Sequence, residues 1–204
     1  MTPVFIDIAS WCEICPLVAR EVAAVAIGWQ DGEDDFTVEV VVPSDVCEKL
    51  RECGYDTSGC TVSDRPMHKV SRTITSLGGV NPFGDPATDL RLVGWDINSK
   101  VWPLLDANMM REGCSLYRFR CSIWKKWNDN RFGDLRNLLT QGYYCAKDDD
   151  MPFEDFVEVI TGNKVPVFDG TMVAGLSRGS LEKAMADRIL AMVDLYNKYG
   201  GQNG

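Results

Sequence analysis

Residues 4–9 have the sequence VFIDIA, residues 21–29 the sequence EVAAVAIGW and residues 36–42 the sequence FTVEVVV. All three runs are apolar and rich in β-branched or small residues, which favours strands. A polar turn at residues 30–35 contains an Asp-Gly pair and separates the last two runs, as a hairpin turn does. The opening of the chain therefore predicts three antiparallel strands that start a sheet.

The remainder of the chain alternates predicted helices with predicted strands. The polar stretch at residues 54–88 predicts mostly loop, with one short helix near residues 70–77. Apolar spacing predicts strands at 90–95 and 116–124 and helices at 46–53, 99–112, 134–139, 152–160 and 181–199. This order is typical of an α/β fold with a mixed sheet, and we expect one domain over residues 1–199 with a flexible tail at 200–204.

Acidic residues outnumber basic ones, 30 to 21, which gives a net charge of −9. Because phosphate groups are bound through Lys and Arg, this charge argues against a protein that coats nucleic acid non-specifically, but it permits a local basic groove. No stretch approaches the ~20 apolar residues of a membrane helix, and no signal-peptide pattern is present. We therefore expect a soluble cytoplasmic protein with no membrane partner, located in the host cytoplasm if the source is a phage.

The chain has eight cysteines and a single histidine, His68. In an intracellular chain of this length, reduced thiols are expected rather than disulfides. Cys12 and Cys15 form half of a zinc motif, but no second C-x-x-C follows. A four-ligand zinc site would have to assemble from distant parts of the sequence, and free thiols are the interpretation that we favour.

Residues 4–15 lead from a predicted strand into Trp11-Cys12-Glu13-Ile14-Cys15. This segment resembles the active site of thioredoxins, in which a helix N-terminus activates the first thiol. The resemblance implies a thiol–disulfide oxidoreductase that uses Cys12 and Cys15. Against it, residues 21–29 predict a strand where a helix should follow, and about 120 residues would form an insertion, which is uncommon in a compact domain.

Four segments in matching order resemble a different family over nearly the whole chain. The three opening strands are similar to those of proteins whose first strand carries the motif D-x-E. Residues 92–105 (LVGWDINSKVWPLL) resemble the family's strand-turn-helix segment, which contains F-D. Residues 132–139 (FGDLRNLL) resemble its D-L-x-x-x-L segment, and residues 162–199 resemble its G-x-x-V loop followed by a closing helix. The chain is thus similar to the DEDD-type 3′–5′ exonuclease superfamily, in the branch related to family-B DNA polymerase proofreading domains. The resemblance implies a ribonuclease H-like α/β fold, with a mixed sheet that begins with three antiparallel strands and is flanked by helices.

Exonucleases of this superfamily hold two magnesium or manganese ions with four carboxylates. One metal ion activates water, and the other stabilises the leaving 3′ oxygen. In this sequence the motifs retain three acidic remnants, Asp7, Asp96 and Asp187, whereas Ala9 and Val101 replace expected carboxylates. The resemblance therefore implies an eroded two-metal site without a cofactor, in which Asp7 would be the metal ligand if any were bound.

The motif of the last helix falls on Arg188, next to Asp187. A carboxylate at Asp7 inside an apolar strand is costly unless it is paired. We expect Arg188 or Lys100 to neutralise it in place of a metal ion, or the backbone at the strand end to hydrogen-bond it. The alternative is an active magnesium- or manganese-dependent exonuclease whose ligands are shifted to Asp7, Asp96 or Asp106, and Asp187.

Residues 111–136 contain seven Lys or Arg and three acidic residues, a local charge of +4, and leave −13 on the rest of the chain. Aromatic residues alternate with the basic ones, which suits stacking on bases and contact with phosphates in single strands. The predicted contacts are Arg118, Arg120, Lys125, Lys126, Trp127 and Arg131. Trp, Tyr and Arg also dominate protein interfaces, and on base rates the aromatics belong to a core. The leading hypothesis is an exonuclease-fold protein that binds single-stranded DNA or RNA, or a protein of a replication or repair complex.

Overall fold

A computed structural model of the 204-residue chain describes seven stretches of it. They are residues 1–11, 21–33, 35–79, 90–116, 132–140, 151–166 and 179–200.

The described residues form a six-stranded mixed sheet with the strand order β4-β3-β2-β1-β5-β6. The strands are β1 (Thr2–Trp11), β2 (Glu21–Asp31), β3 (Asp35–Pro43), β4 (Thr61–Ser63), β5 (Leu90–Gly94) and β6 (Phe132–Asp134). β1, β2 and β3 pair antiparallel, whereas β4 joins β3, β5 joins β1 and β6 joins β5 in parallel. The prediction of a mixed sheet that begins with three antiparallel strands is confirmed.

Helices cover both faces of this sheet. They are α1 (Ser44–Glu52), α2 (Pro66–Gly78), α3 (Trp102–Glu112), α4 (Leu135–Thr140), α5 (Phe153–Thr161) and α6 (Leu181–Leu195). A π-helical turn, Ile97–Val101, precedes α3, and a second, Tyr196–Gly200, follows α6. Among the described helices, none combines the length and the hydropathy needed to cross a membrane.

Alternation along β1 divides the core into two layers, because successive side chains of a strand point to opposite faces. Val4 and Ile6 pack with the buried side chains of α2 and α3. Phe5 and Ala9 pack with those of α1, α4, α5 and α6 on the other face. Asp7 lies between Phe5 and Ala9 in this alternation and so faces the second layer, which places its carboxylate toward α5 and α6.

Small residues on β2 allow α6 to approach the sheet closely. Ala26 pairs with Asp7, and Gly28 pairs with Phe5. A Cβ atom added to Gly28 would lie 2.4 Å from Cγ2 of Ile189, a separation that real Cβ atoms essentially never show. The absence of side-chain volume here therefore brings the inner face of α6 within reach of Asp7.

The structure differs from the sequence-based prediction at several short elements. Residues 54–88, predicted as mostly loop, include β4 and the 13-residue helix α2. The three residues of β6 carry too little periodicity to be seen in the sequence. The strand predicted at residues 116–124 lies outside the described residues except for its first position.

Candidate functional site

Asp7 is a buried acidic residue in the middle of β1, with 5% of its surface exposed. Its neighbours on the same face, Phe5 and Ala9, are apolar, and Ala26 lies opposite on β2. Ala9, which stands at the expected second carboxylate of the D-x-E motif, is fully buried. The strand therefore places one carboxylate, without a second, on the face that α6 covers.

Arg188 on α6 supplies the charge that neutralises Asp7. Its Nε–H donates to Asp7 Oδ2 at 2.5 Å. Its Nη1–H donates to a carboxylate oxygen of Glu154 on α5 and, at 2.6 Å, to the carbonyl oxygen of Pro166. Of the three partners expected for Asp7, namely Arg188, Lys100 and the backbone, the structure shows Arg188. Glu154 is a second acidic partner of Arg188 that the sequence did not reveal.

The surroundings of Arg188 keep it charged. Burial acts most strongly on its pKa and lowers it, but the negative charges of Asp7 and Glu154 outweigh this effect and hold the pKa above its ordinary value. The guanidinium also lies over the ring of Phe153, 5.2 Å from its centroid. Arg188 therefore acts as a permanent cation between two acidic side chains from different elements.

Asp96, the second of the three acidic residues predicted for the site, follows β5 and is also buried. Its backbone is left-handed, with φ of 51°, and its carbonyl oxygen accepts the N–H groups of Ser99 and Lys100 at the start of the π-helical turn. Arg136 Nη1 donates to both carboxylate oxygens at 3.1 Å, and Lys100 Nζ lies 3.1 Å from Oδ2. Lys100 therefore pairs with Asp96 rather than with Asp7.

Asp134 lies at the end of β6, next to this second pair. Burial raises its pKa most strongly and the charge of Asp96 adds to this, while backbone N–H groups, including that of Asn98, act in the opposite direction. The net shift is upward from the ordinary value of 3.8. An acidic group of this kind destabilises the folded state once it is ionised.

Asp134→Asn is therefore expected to stabilise the protein at neutral pH. A carboxyl group whose pKa is raised on folding favours the folded state below its ordinary pKa, and this advantage is lost as the pH rises through the folded-state pKa. Asn is as good a helix N-cap as Asp, so α4 should start normally. Urea denaturation should show the variant to be more stable than the wild type at pH 7 and equal to it near pH 3; an equal difference at both pH values would contradict this account.

The remaining sequence-predicted ligands do not converge on Asp7. Asp187 lies on the exposed side of α6, next to the buried Arg188, because consecutive helical residues are rotated by about 100°. Asp106 belongs to α3, whose buried side chains pack on the opposite face of the sheet. Val101 is buried in the π-helical turn.

Side chains of the types that ligate metal ions lie close together at a site away from Asp7, where α2 approaches α3. Within the described ranges, one group of three or more His, Cys, Asp or Glu residues brings its donor atoms within 4.8 Å of one another. It consists of His68, Glu112 and Cys114, at the ends of α2 and α3. Neither Asp7 nor Asp96 belongs to such a group in this part of the chain.

Two sets of predicted residues lie outside the described part of the chain. One is the redox pair Cys12 and Cys15. The other is the nucleic-acid-binding set Arg118, Arg120, Lys125, Lys126, Trp127 and Arg131. Residues 21–31, after the C-x-x-C segment, form strand β2, whereas the thioredoxin arrangement requires a helix there.

Arg136 and Glu154 are the site residues that the sequence analysis missed. Arg136 follows Asp134 in the D-L-x-x-x-L segment, and its position near Asp96 depends on the parallel pairing of β6 with β5. Glu154 lies in the first turn of α5 after Pro152, where an acidic residue is common for helix-dipole reasons alone. The sequence around Arg136 and around Glu154 therefore does not indicate that either residue forms an ion pair with a distant part of the chain.

Comparison with solved structures places this architecture among known folds. The structure of the family B DNA polymerase from the hyperthermophilic archaeon Pyrobaculum calidifontis matches with a TM-score of 0.57 at 14% sequence identity, over 97% of this chain and 24% of the polymerase chain. Product-bound exonuclease I matches with a TM-score of 0.49 at 16% identity, over 98% of this chain and 44% of that chain. E. coli exonuclease I in complex with a dT13 oligonucleotide matches with a TM-score of 0.48 at 17% identity, over 98% and 42%.

This chain spans less than half the length of each of these proteins. No protein-family model and no curated protein sequence matches it. The mixed sheet flanked by helices is an exonuclease-type, ribonuclease H-like α/β fold. The predicted fold class is thereby confirmed.

Proposed function

We propose that this protein is a 3′–5′ exonuclease-fold protein whose two-metal site has been replaced by arginine–carboxylate pairs, and that it acts by binding single-stranded nucleic acid. The observation that carries the proposal is the guanidinium of Arg188 between Asp7 and Glu154. Asp7 occupies the position of the first family carboxylate, and Arg188 occupies the position of the last one.

The donor set around Asp7 does not suit divalent metal ions. Magnesium and manganese require several oxygen ligands around a common point. Asp7 and Glu154 instead share one guanidinium, and the buried Ala9 contributes no oxygen. A guanidinium also has no open coordination position at which a water molecule could be activated, so hydrolysis by the two-metal route is not supported here.

The pairing of Asp96 supports the same proposal. Its carboxylate accepts hydrogen bonds from Arg136 and is paired with Lys100, so it too is compensated by side chains of this chain. Asp96 has two cations, and Asp7 has the guanidinium that it shares with Glu154, so both buried charges are paired. This explains why both acidic remnants persist in a fold that no longer requires them for metal binding.

The binding part of the proposal rests on the basic segment at residues 111–136. Its charge of +4 contrasts with −13 on the rest of the chain, and its aromatic residues offer stacking surfaces. Arg136, at the end of the segment, is engaged with Asp96. We therefore assign the phosphate contacts to Arg118, Arg120, Lys125, Lys126 and Arg131, with the two lysines at the centre of the segment.

The double variant Lys125→Glu/Lys126→Glu is expected to weaken the binding of a labelled single-stranded oligonucleotide. For single strands, the slope of log K against log salt is negative, and each lost phosphate contact reduces its magnitude by about 0.7, so the loss of two contacts should make the slope shallower by about 1.4. Fluorescence anisotropy over a range of salt concentrations in EDTA measures this change.

The matched control is Lys164→Glu/Lys183→Glu, which makes the same change in net charge at two exposed lysines. Its salt slope should equal that of the wild type. If both double variants bind equally well, the basic segment is not the binding surface. If the wild type binds neither DNA nor RNA, the proposal of a nucleic-acid partner fails and a protein partner takes its place.

A further inference from the structure

Three metal-ligating side chains meet where the start of α2 approaches the end of α3. His68 lies in the first turn of α2, Glu112 is the last residue of α3, and Cys114 follows two residues later. A ring nitrogen of His68, a carboxylate oxygen of Glu112 and Sγ of Cys114 lie within 4.8 Å of one another, and all three residues are half-buried.

The backbone brings Cys114 back toward α2 through a specific turn. Gly113 ends α3 in the left-handed region, with φ of 73°, which glycine adopts without a Cβ penalty. The N–H of Cys114 then donates to the carbonyl oxygen of Met109 at 2.9 Å. The thiol is therefore held by an ordered helix end.

Hydrogen bonds already orient two of the three donors. The Glu112 carboxylate accepts the backbone N–H of Met67 at 3.0 Å and that of His68 at 3.2 Å. The imidazole Nε2 of His68 lies 3.1 Å from the backbone carbonyl oxygen of Glu112. Metal-ligating histidines usually donate their second ring N–H to such a carbonyl, and ligating carboxylates are themselves usually hydrogen-bonded.

The chemistry of the donors selects the class of cation. One nitrogen, one thiolate sulfur and one oxygen suit zinc and similar borderline ions, whereas magnesium and calcium prefer oxygen alone. Zinc bonds of about 2.0–2.3 Å place tetrahedral ligands roughly 3.5 Å apart, so donor atoms that lie within 4.8 Å of one another would have to close by up to about 1.3 Å.

We propose that His68, Glu112 and Cys114 bind one divalent cation of the zinc class, with water or an external ligand in the fourth position. Binding replaces the proton on Sγ of Cys114, which is released to solvent, and leaves a metal–thiolate bond. The ion joins the first turn of α2 to the end of α3. Glu112 and Cys114 lie at the start of the basic segment at residues 111–136, but the proposal does not rest on the proposed function, because its three donors include neither Asp7 nor any assigned phosphate contact.

Titration of the reduced, metal-free protein with Co²⁺ tests this site, since a thiolate ligand gives a charge-transfer band in the near ultraviolet. We expect the band to saturate at one equivalent, to be lost in Cys114→Ser, and to require at least tenfold more metal in His68→Ala. The control variant Cys12→Ser/Cys15→Ser should retain the band. No band in the wild type, or a band that is lost in the control and kept in Cys114→Ser, would overturn the proposal.

Thermal unfolding with Zn²⁺ provides a second readout that needs no charge-transfer band. At a zinc concentration about 100-fold above Kd, the Tm of a chain of this size should rise by roughly 5–10 °C. The rise should be absent in Cys114→Ser and in His68→Ala, each first checked for folding by circular dichroism. Equal rises in the wild type and in both folded variants would place the zinc elsewhere.

Discussion

Arg188→Met should lower the free energy of unfolding by about 3–5 kcal/mol, because it leaves Asp7 and Glu154 without their shared cation. Methionine replaces the aliphatic part of the arginine side chain and removes its guanidinium, so the loss reports on charge more than on apolar packing. Urea denaturation of the wild type and the variant at neutral pH measures the difference.

Two controls separate this effect from general damage to α6. Asp187→Asn changes the exposed neighbour and should alter stability by less than about 0.5 kcal/mol. The triple variant Asp7→Asn/Glu154→Gln/Arg188→Met removes the uncompensated charges and should recover part of the loss. A loss below about 1 kcal/mol in the single variant would show that Arg188 is not the essential partner of Asp7.

The double variant Ala9→Glu/Arg188→Asp is expected to be less stable than the wild type in EDTA and to be stabilised by Mn²⁺. It adds carboxylates on the same face of β1 as Asp7 and on the inner side of α6, where the family pattern has them. Like charges without a cation repel one another, whereas a bound divalent ion compensates them. Thermal unfolding with and without Mn²⁺ should show a rise of several degrees in the variant.

The wild type and Arg188→Asp alone are the references for this experiment. Neither should show the full manganese-dependent rise. If the wild type is stabilised by Mn²⁺ as strongly as the double variant, and Asp7→Asn removes the effect, then the native site binds metal and the proposed replacement by arginine is wrong.

The sequence was most informative where periodicity and burial coincide. The three opening strands were predictable because their apolar runs are long and are separated by clear turn signals. A partner for Asp7 was predictable because a buried carboxylate must be paired, but the sequence left Arg188, Lys100 and the backbone as alternatives, and only the folded chain shows that it is Arg188.

Other features of the site depend on contacts that have no local signature. Glu154 reaches Arg188 across the interface of α5 with α6, and Arg136 reaches Asp96 only after β6 pairs with β5. In the group of His68, Glu112 and Cys114, the histidine lies 44 and 46 positions before the other two residues, a separation that no spacing motif captures. These contacts are products of tertiary packing, so they become visible only in the folded chain.

A combined cleavage and binding assay on single-stranded DNA and RNA labelled at the 3′ end tests the central claim most directly. The account predicts a gel shift that persists in EDTA and no release of the labelled 3′ nucleotide when Mn²⁺ is supplied. Manganese-dependent release of the labelled nucleotide that disappears in Asp7→Asn would contradict it and would show that Asp7 still serves a working nuclease site.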